Sequence, residues 1–244
     1  VTVSSDGRAV VYMGDDERFD YVYKFVSAQP WRKMRANGES PLDRGTLYVA
    51  RFNDNGSGDW LELSLENPAL TSEFSDMGTM MVMSRAASDL VGATPMDRPE
   101  WITVAPDGRV YVACTNNSRR TEANVMGEQS GRTIDTGPNA ANPNANNSDG
   151  HIIRWIESRS HSGDKFEWET VIFAKDTHGT EASFSDPDGI WADPDGRIFV
   201  QTDGGQKDGL QNQMLVGDPA TGEIKRLFTG VPGCEITGMA VTPN

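Results

Sequence analysis

Three stretches of this chain set a carboxylate at the same place ahead of what reads as the same β-strand. Pro99-Glu100-Trp101 leads into ITVAPDGRVYV, Pro187-Asp188-Gly189 leads into IWADPDGRIFV, and Cys234-Glu235-Ile236 leads into TGMAVTPN. A motif that returns after a whole supersecondary unit marks a repeat architecture, and an acidic residue at one place in each repeat brings several carboxylates together in space. Converging carboxylates call for cations.

Turn signals divide the chain into units. Ser5-Asp6-Gly7-Arg8, Pro106-Asp107-Gly108-Arg109 and Pro194-Asp195-Gly196-Arg197 read as tight hairpin turns, each followed by a strand of period two: AVVYM, VYVAC and IFVQT. A polar loop comes next in each unit, then a third strand (YVYKFV, HIIRWI, QMLVG) and a fourth (FEWETVIFA, EIKRLFTG). Four meandering strands make a propeller blade. GTLYVARF and DWLELSLE are assigned to a further blade, which gives about four units, the last cut off at Asn244.

The expected fold is therefore all-β, a partial β-propeller domain over 1–244, with the ring incomplete. Two insertions interrupt it. In the first, over 67–95, Met80, Met81, Met83, Ala86, Ala87 and Leu90 suggest an amphipathic helix with Gly92 capping its end and the methionines as core filler. The second, over 119–148, is rich in Asn, Gly and Pro and reads as a long loop over one face. Trp101 and Trp191 are expected to pack between blades.

A chain of 244 residues with 36% hydrophobic content can bury one sizeable core. The balance of 22 basic and 36 acidic residues, a net charge of −14, opposes nucleic acid and anionic membrane as partners. An anionic substrate would need bound cations to reverse the local sign. No apolar run is long enough to span a bilayer, and Val1 begins in a strand-like segment without a charged leader, so no targeting signal is legible. Cys114 and Cys234 read as small buried hydrophobes and not as a disulfide or metal ligands.

In a four-stranded meander, the loop entering the first strand and the loop joining the second to the third lie at one end. That puts Glu100, Asp188 and Glu235 on a face with Asp15, Asp16, Asn116, Asn117 and Asp203. Hard oxygen donors from several blades suit calcium, which accepts six to eight oxygens in flexible arrangements. Glu100 and Asp188 each sit six residues before the turn proline, whereas Glu235 sits eight before Pro243, which keeps the face of the strand and changes the depth.

Other polar residues read as structural. Asp6, Asp107 and Asp195 belong to turns, and Asn53 to Asp59 is a hairpin turn that lacks the order of a calcium loop. His151 is assigned a hydrogen-bonded structural role, while His161 and His178 lie in polar loops with no evident partner. There is no Gly-x-Ser-x-Gly elbow, Walker loop, His-Glu-x-x-His or Cys-x-x-Cys.

Four runs carry a wider likeness: Tyr12 to Val26 (YMGDDERFDYVYKFV), Gly45 to Ala50 (GTLYVA), Gly92 to Trp101 (GATPMDRPEW) and Asn142 to Trp155 (NPNANNSDGHIIRW). In this order, nearly end to end, the chain resembles the PhoX-type alkaline phosphatases. The resemblance implies a six-bladed propeller, exported to the periplasm or beyond, that hydrolyses phosphate monoesters with iron and calcium. It implies that Arg98 is catalytic through the phosphoryl oxygens, that Glu100 ligates metal beside it, that Asp188 matches a calcium ligand and that Glu235 falls in a Glu-x-Thr-Gly segment.

The iron-bridging cysteine of the family lies in an N-terminal part with no counterpart here, and neither Cys114 nor Cys234 stands in for it. The intact protein is then an enzyme, while this segment alone holds part of the site and is expected to be inactive unless the missing blades or another copy pair with its exposed strand edges. Two other readings stay open. A calcium-dependent propeller lactonase would share the acidic ring without needing Arg98, and a noncatalytic calcium-stabilised propeller would only bind a partner. Arg98 beside Glu100 favours the phosphatase.

Overall fold

Asp-Gly turns fold the meander. Gly7, Gly108 and Gly196 take φ of 81°, 86° and 87°, a left-handed backbone that glycine reaches without a Cβ clash, and each returns an inner strand along its neighbour. The computed structural model describes residues 1–121, 126–129, 132–158 and 160–242.

The first blade runs through β1 (Thr2–Val3), β2 (Arg8–Gly14), β3 (Val22–Pro30), a short helix α1 (Trp31–Ala36), β4 (Gly45–Phe52) and β5 (Ser57–Glu62). Helices α2 (Pro68–Thr71), α3 (Met77–Val82) and α4 (Ser84–Val91) follow. The second blade takes β6 (Pro99–Val104) and β7 (Val110–Cys114), leaves for a hairpin of β8 (Met126–Gln129) and β9 (Arg132–Asp135), and returns as β10 (His151–Glu157) and β11 (Lys165–Phe173). The third is β12 (Pro187–Ala192), β13 (Ile198–Thr202), β14 (Gln213–Asp218) and β15 (Glu223–Thr229), a four-stranded antiparallel sheet in that order.

Four differences from the sequence reading have local causes. First, β4 and β5 do not open a new blade: β4 continues the ladder of β3 from Tyr23↔Val49 to Ser27↔Gly45, so the described residues form three blades. The outer strand β5 then pairs with β11 at Ser57 to Asp59, joining the first two blades into one sheet of order β1-β2-β3-β4-β5-β11-β10-β7-β6. Gly58 permits this, since a Cβ there would run into the Phe166 ring.

Second, the helical insertion breaks at Met83 (φ −101°, ψ 34°) into separate helices, with Gly92 capping the last at φ 72°. Met80 is fully buried with Leu70, Ala86 and Ala87 against Tyr21, Tyr23 and Val49, whereas Met83 is 43% exposed. Third, the second insertion contains the β8–β9 hairpin. Fourth, the third acidic motif leads into no strand: among the described residues nothing after Thr229 is in a strand. Pro243 and Asn244, against which the depth of Glu235 was measured, lie outside the described residues.

Between the first two blades an aromatic cluster of Tyr12, Phe52, Trp60, Trp155 and Phe166 fills the core, with Trp60 and Phe166 ring centres 5.1 Å apart. Ala105, Tyr111, Ile152, Ile190, Ile198 and Val200 fill the space between the second and third. Trp191 instead lies on Phe199 of its own blade, at 5.5 Å. Trp101 is 45% exposed, and a Cβ on Gly238 would run into its ring.

Candidate functional site

The two complete acidic motifs share a backbone device. On β6 the pairing steps from Pro99↔Cys114 to Ile102↔Val112, so Glu100 and Trp101 together face Ala113. On β12 it steps from Pro187↔Thr202 to Ile190↔Val200, so Asp188 and Gly189 face Gln201. A bulge of this kind re-aims a side chain at the end of a strand. It also explains Trp101, which the bulge turns away from the blade interface where strict alternation would have put it.

Just before each bulge stands a residue with positive φ: Arg98 at 55° and Asp186 at 50°. Both precede a proline, which ordinarily drives its predecessor to extended backbone. Each is held from the next strand's end, Thr115 N–H donating to the Arg98 carbonyl at 3.0 Å and Asp203 N–H to the Asp186 carbonyl at 3.1 Å. Gly233, at φ 81°, stands at the same distance before Glu235.

These devices bring charges together. The Arg98 guanidinium forms a fork on Asp16, with Nε 2.8 Å from Oδ1 and Nη2 donating to Oδ2 at 2.9 Å, and its Nη2 lies 3.8 Å from Glu100 Oε1. Glu100 lies close to the Asp16 and Asp188 carboxylates, and burial followed by those two neighbours pushes its pKa well above the usual range. Asp188, 6% exposed, is also raised, by burial first and with the Asp203, Asp16 and Glu235 carboxylates adding to it, while the neighbouring Glu100 works the other way. Burial and mutual proximity therefore disfavour full ionisation of both carboxyl groups. Packing leaves no slack, since a Cβ on Gly14 would run into the carbonyls of Pro99 and Glu100.

Of the residues expected on this face, Glu100, Asp188, Asp16, Asp203 and Glu235 act on one another, with Arg98 beside them. Asn116 lies a step away, donating from Nδ2 to Asp186 Oδ1 at 2.7 Å. Asn117 is turned inward: fully buried, it pairs its backbone N–H with the Asn147 carbonyl at 2.6 Å. Asp15 is exposed and acts on Asp20.

Sequence reasoning missed Asp186, which is 5% exposed and has a pKa pushed up to about 6 by burial. It also missed Asp97 and Arg120, a buried pair directly behind Arg98 with Arg120 Nε 2.6 Å from Asp97 Oδ1. The Asn-rich run was the available signal, since Asn147 Nδ2 donates to Asp97 Oδ2 at 2.9 Å and Asn142 Oδ1 accepts from Asp97 N–H at 3.0 Å. His151 is fully buried beside Asn147, 3.1 Å from its Nδ2, with its pKa lowered by burial. His161 does have a partner, the Tyr12 hydroxyl at 2.8 Å, and His178 Nε2 meets Ser185 Oγ at 3.1 Å. Both cysteines are free thiols, Cys114 buried and Cys234 partly so.

Among the described residues no three His, Cys, Asp or Glu side chains stand at metal-ligating geometry. The donor set nevertheless has the chemistry of a hard-cation site. Burial first, and then the neighbouring Asp16 and Asp188 carboxylates, raise the Glu100 pKa, and a bound cation would offset both effects.

The description "Alkaline phosphatase PhoX" fits a family model that matches residues 1–244. No curated protein matches the chain. Among solved structures, "Pseudomonas fluorescens PhoX in complex with vanadate, a transition state analogue" is similar at 40% identity and a TM-score of 0.80, over 97% of this chain and 44% of that one. The chain thus spans less than half the length of that protein. With the match running through all three blades and both bulged motifs, the chain belongs to the PhoX alkaline phosphatase family.

Proposed function

We propose that the protein to which this chain belongs hydrolyses phosphate monoesters with the help of metal ions, and that these three blades supply one wall of the site. The observation that carries the reading is Arg98, held by a fork on Asp16 and 3.8 Å from Glu100 at the edge of a cluster of carboxylates. Neither a lactonase nor a passive scaffold has use for a guanidinium there. A phosphate ester is a dianion, and a planar guanidinium matches two of its oxygens at once.

The residues that would hold metal are Glu100, Asp188 and Glu235, with Asp16 and Asp203 adjoining them, and calcium is the ion their hard oxygens suit best. Iron, which the family likeness also suggests, would draw most of its ligands from beyond this chain. Bound here, such ions would neutralise charge on the phosphoryl group and lower the pKa of an attacking oxygen. The chain's own residues do the rest. Arg98 orients the phosphoryl group, Asp16 fixes the plane of the Arg98 fork, and the bulges of β6 and β12 keep the carboxylates on one face. We place the protein in the periplasm or outside the cell.

Arg98→Ala in the complete protein tests the reading. Loss of such a contact costs about 2–4 kcal/mol of transition-state stabilisation, so turnover of a chromogenic phosphate monoester should fall a hundredfold or more. A variant within threefold of wild type refutes the assignment. Activity on the ester that survives thorough chelation, or activity on a lactone in its place, refutes the reaction class.

A further inference from the structure

Arg98 owes its backbone conformation to what lies behind it. Left-handed backbone before a proline persists only where the surroundings over-determine it. The preceding segment, Pro95-Met96-Asp97, is gripped on every side. Arg120, whose side chain is wholly buried, donates from Nε to Asp97 Oδ1 at 2.6 Å, from Nη2 to the Pro95 carbonyl at 2.8 Å and from Nη1 to the Gly137 carbonyl at 2.6 Å, and lies over the Phe19 ring at 5.2 Å. Phe19 N–H donates to the Met96 carbonyl, and Met96 N–H to that of Asp20, each at 2.9 Å. Asn142 and Asn147 close the far side on Asp97.

A burial of two charges is a costly way to fill space, and well-packed apolar residues serve stability at least as well. What the pair adds is direction. A five-donor fork spanning Pro95, Asp97 and Gly137 fixes where the chain enters Arg98, as a hydrophobic contact would not. We propose that Arg120 is a positioning residue for Arg98, acting through Asp97 to aim its guanidinium at the phosphoryl group. The inference rests on the phosphatase reading for what Arg98 does, and on the clamp for how it is held.

A double-mutant cycle in the complete protein separates this from a purely structural role. Arg98→Ala, Arg120→Lys and the double variant are compared for kcat/KM on a phosphate monoester, for orthovanadate affinity by calorimetry and for thermal midpoint. Arg120→Lys keeps the charge and loses the fork, and is expected to lower both kcat/KM and vanadate affinity tenfold or more. In the Arg98→Ala background the same substitution should change either by less than threefold. Full additivity, or an Arg120→Lys protein within threefold of wild type, overturns the inference.

Should Arg120→Lys fail to fold, Asn147→Ala removes one hydrogen bond from Asp97, and a loss of threefold or more that vanishes beside Arg98→Ala supports the clamp. No loss overturns it. An Arg98→Ala enzyme of full activity sinks the phosphoryl contact and this inference together, whereas a crippled one with additive Arg120→Lys effects sinks this inference alone.

Discussion

Replacing Lys24 by methionine removes one charge from the interface between the first two blades and leaves the other in place. Lys24 Nζ and the Glu157 carboxylate meet at 2.6 Å with both side chains 0% exposed. Nζ also donates to the Gly163 carbonyl at 2.7 Å and lies 4.6 Å from the Trp60 ring. Methionine fills a similar volume, so little of the effect comes from a cavity. Glu157 is left with the Tyr12 hydroxyl and a long 3.4 Å contact from Trp155 Nε1. Breaking a buried pair on one side costs about 3–5 kcal/mol.

The pair itself is not the source of that energy. Burial pushes the Lys24 pKa down and that of Glu157 up, in each case as the largest influence and against the attraction of the partner, so desolvation outweighs the pairing. Lys24→Met with Glu157→Met is therefore expected to cost only about 1–2 kcal/mol, chiefly for the Gly163 carbonyl that loses Lys24, since the Tyr12 hydroxyl keeps His161 Nδ1 at 2.8 Å. Urea unfolding followed by tryptophan fluorescence is the assay, since Trp60 and Trp155 both lie in the adjoining core. A single-variant loss below about 1 kcal/mol, or a double variant that costs the sum of the singles, refutes the reasoning.

Two further outcomes follow from the geometry. Gly14→Ala drives a Cβ into the Pro99 and Glu100 carbonyls, an overpacking worth about 1–3 kcal/mol, and because the strained carbonyls belong to the bulge, the phosphatase activity proposed for the complete protein should fall further than the melting temperature predicts. Equal loss of both would show the bulge to be indifferent to its packing. Asp20, with its side chain 2% exposed beside Arg85, has its pKa raised to about 6, by burial first. The folded state then keeps a proton that the unfolded chain releases near pH 4, so this group's contribution to stability falls as pH rises from about 4 to 6, by up to about 3 kcal/mol. Asp20→Asn should gain on wild type by about that amount between pH 4 and pH 7 in urea midpoints. A pH-independent difference refutes the shift.

The period of the acidic motif was legible because repeats preserve residue type where they preserve geometry. Glu100 and Asp188 share a preceding proline and the same spacing to the turn, and the structure sets them in equivalent bulges. Blade count was not legible. GTLYVARF alternates like any strand, and only the register of its pairing with β3 shows that it extends an existing sheet. The clamp on Arg98 escaped notice for a different reason. Asp97 and Arg120 are 23 residues apart and separated by β6 and β7, and a buried ion pair leaves no periodic trace in a sequence. His161 was unpartnered on paper because Tyr12, 149 residues away, belongs to another blade.

The repeat supplies geometry, and departures from it supply chemistry. Arg98 and Asp186 occupy one backbone position in successive blades, each left-handed, each before a proline and a bulged carboxylate, each with its carbonyl bonded to the end of the following strand. Their side chains have opposite charge. In the second blade the position offers a guanidinium to the cluster, partly exposed and forked on Asp16. In the third it offers a buried carboxylate anchored by Asn116. A symmetric ring of carboxylates would hold cations and nothing more. Exchanging one of the paired positions for arginine gives the face a direction, with the carboxylates proposed to hold cations on one side and the proposed donor for anionic oxygen on the other. Because both residues sit on the same kinked backbone, that exchange needs no change in the fold.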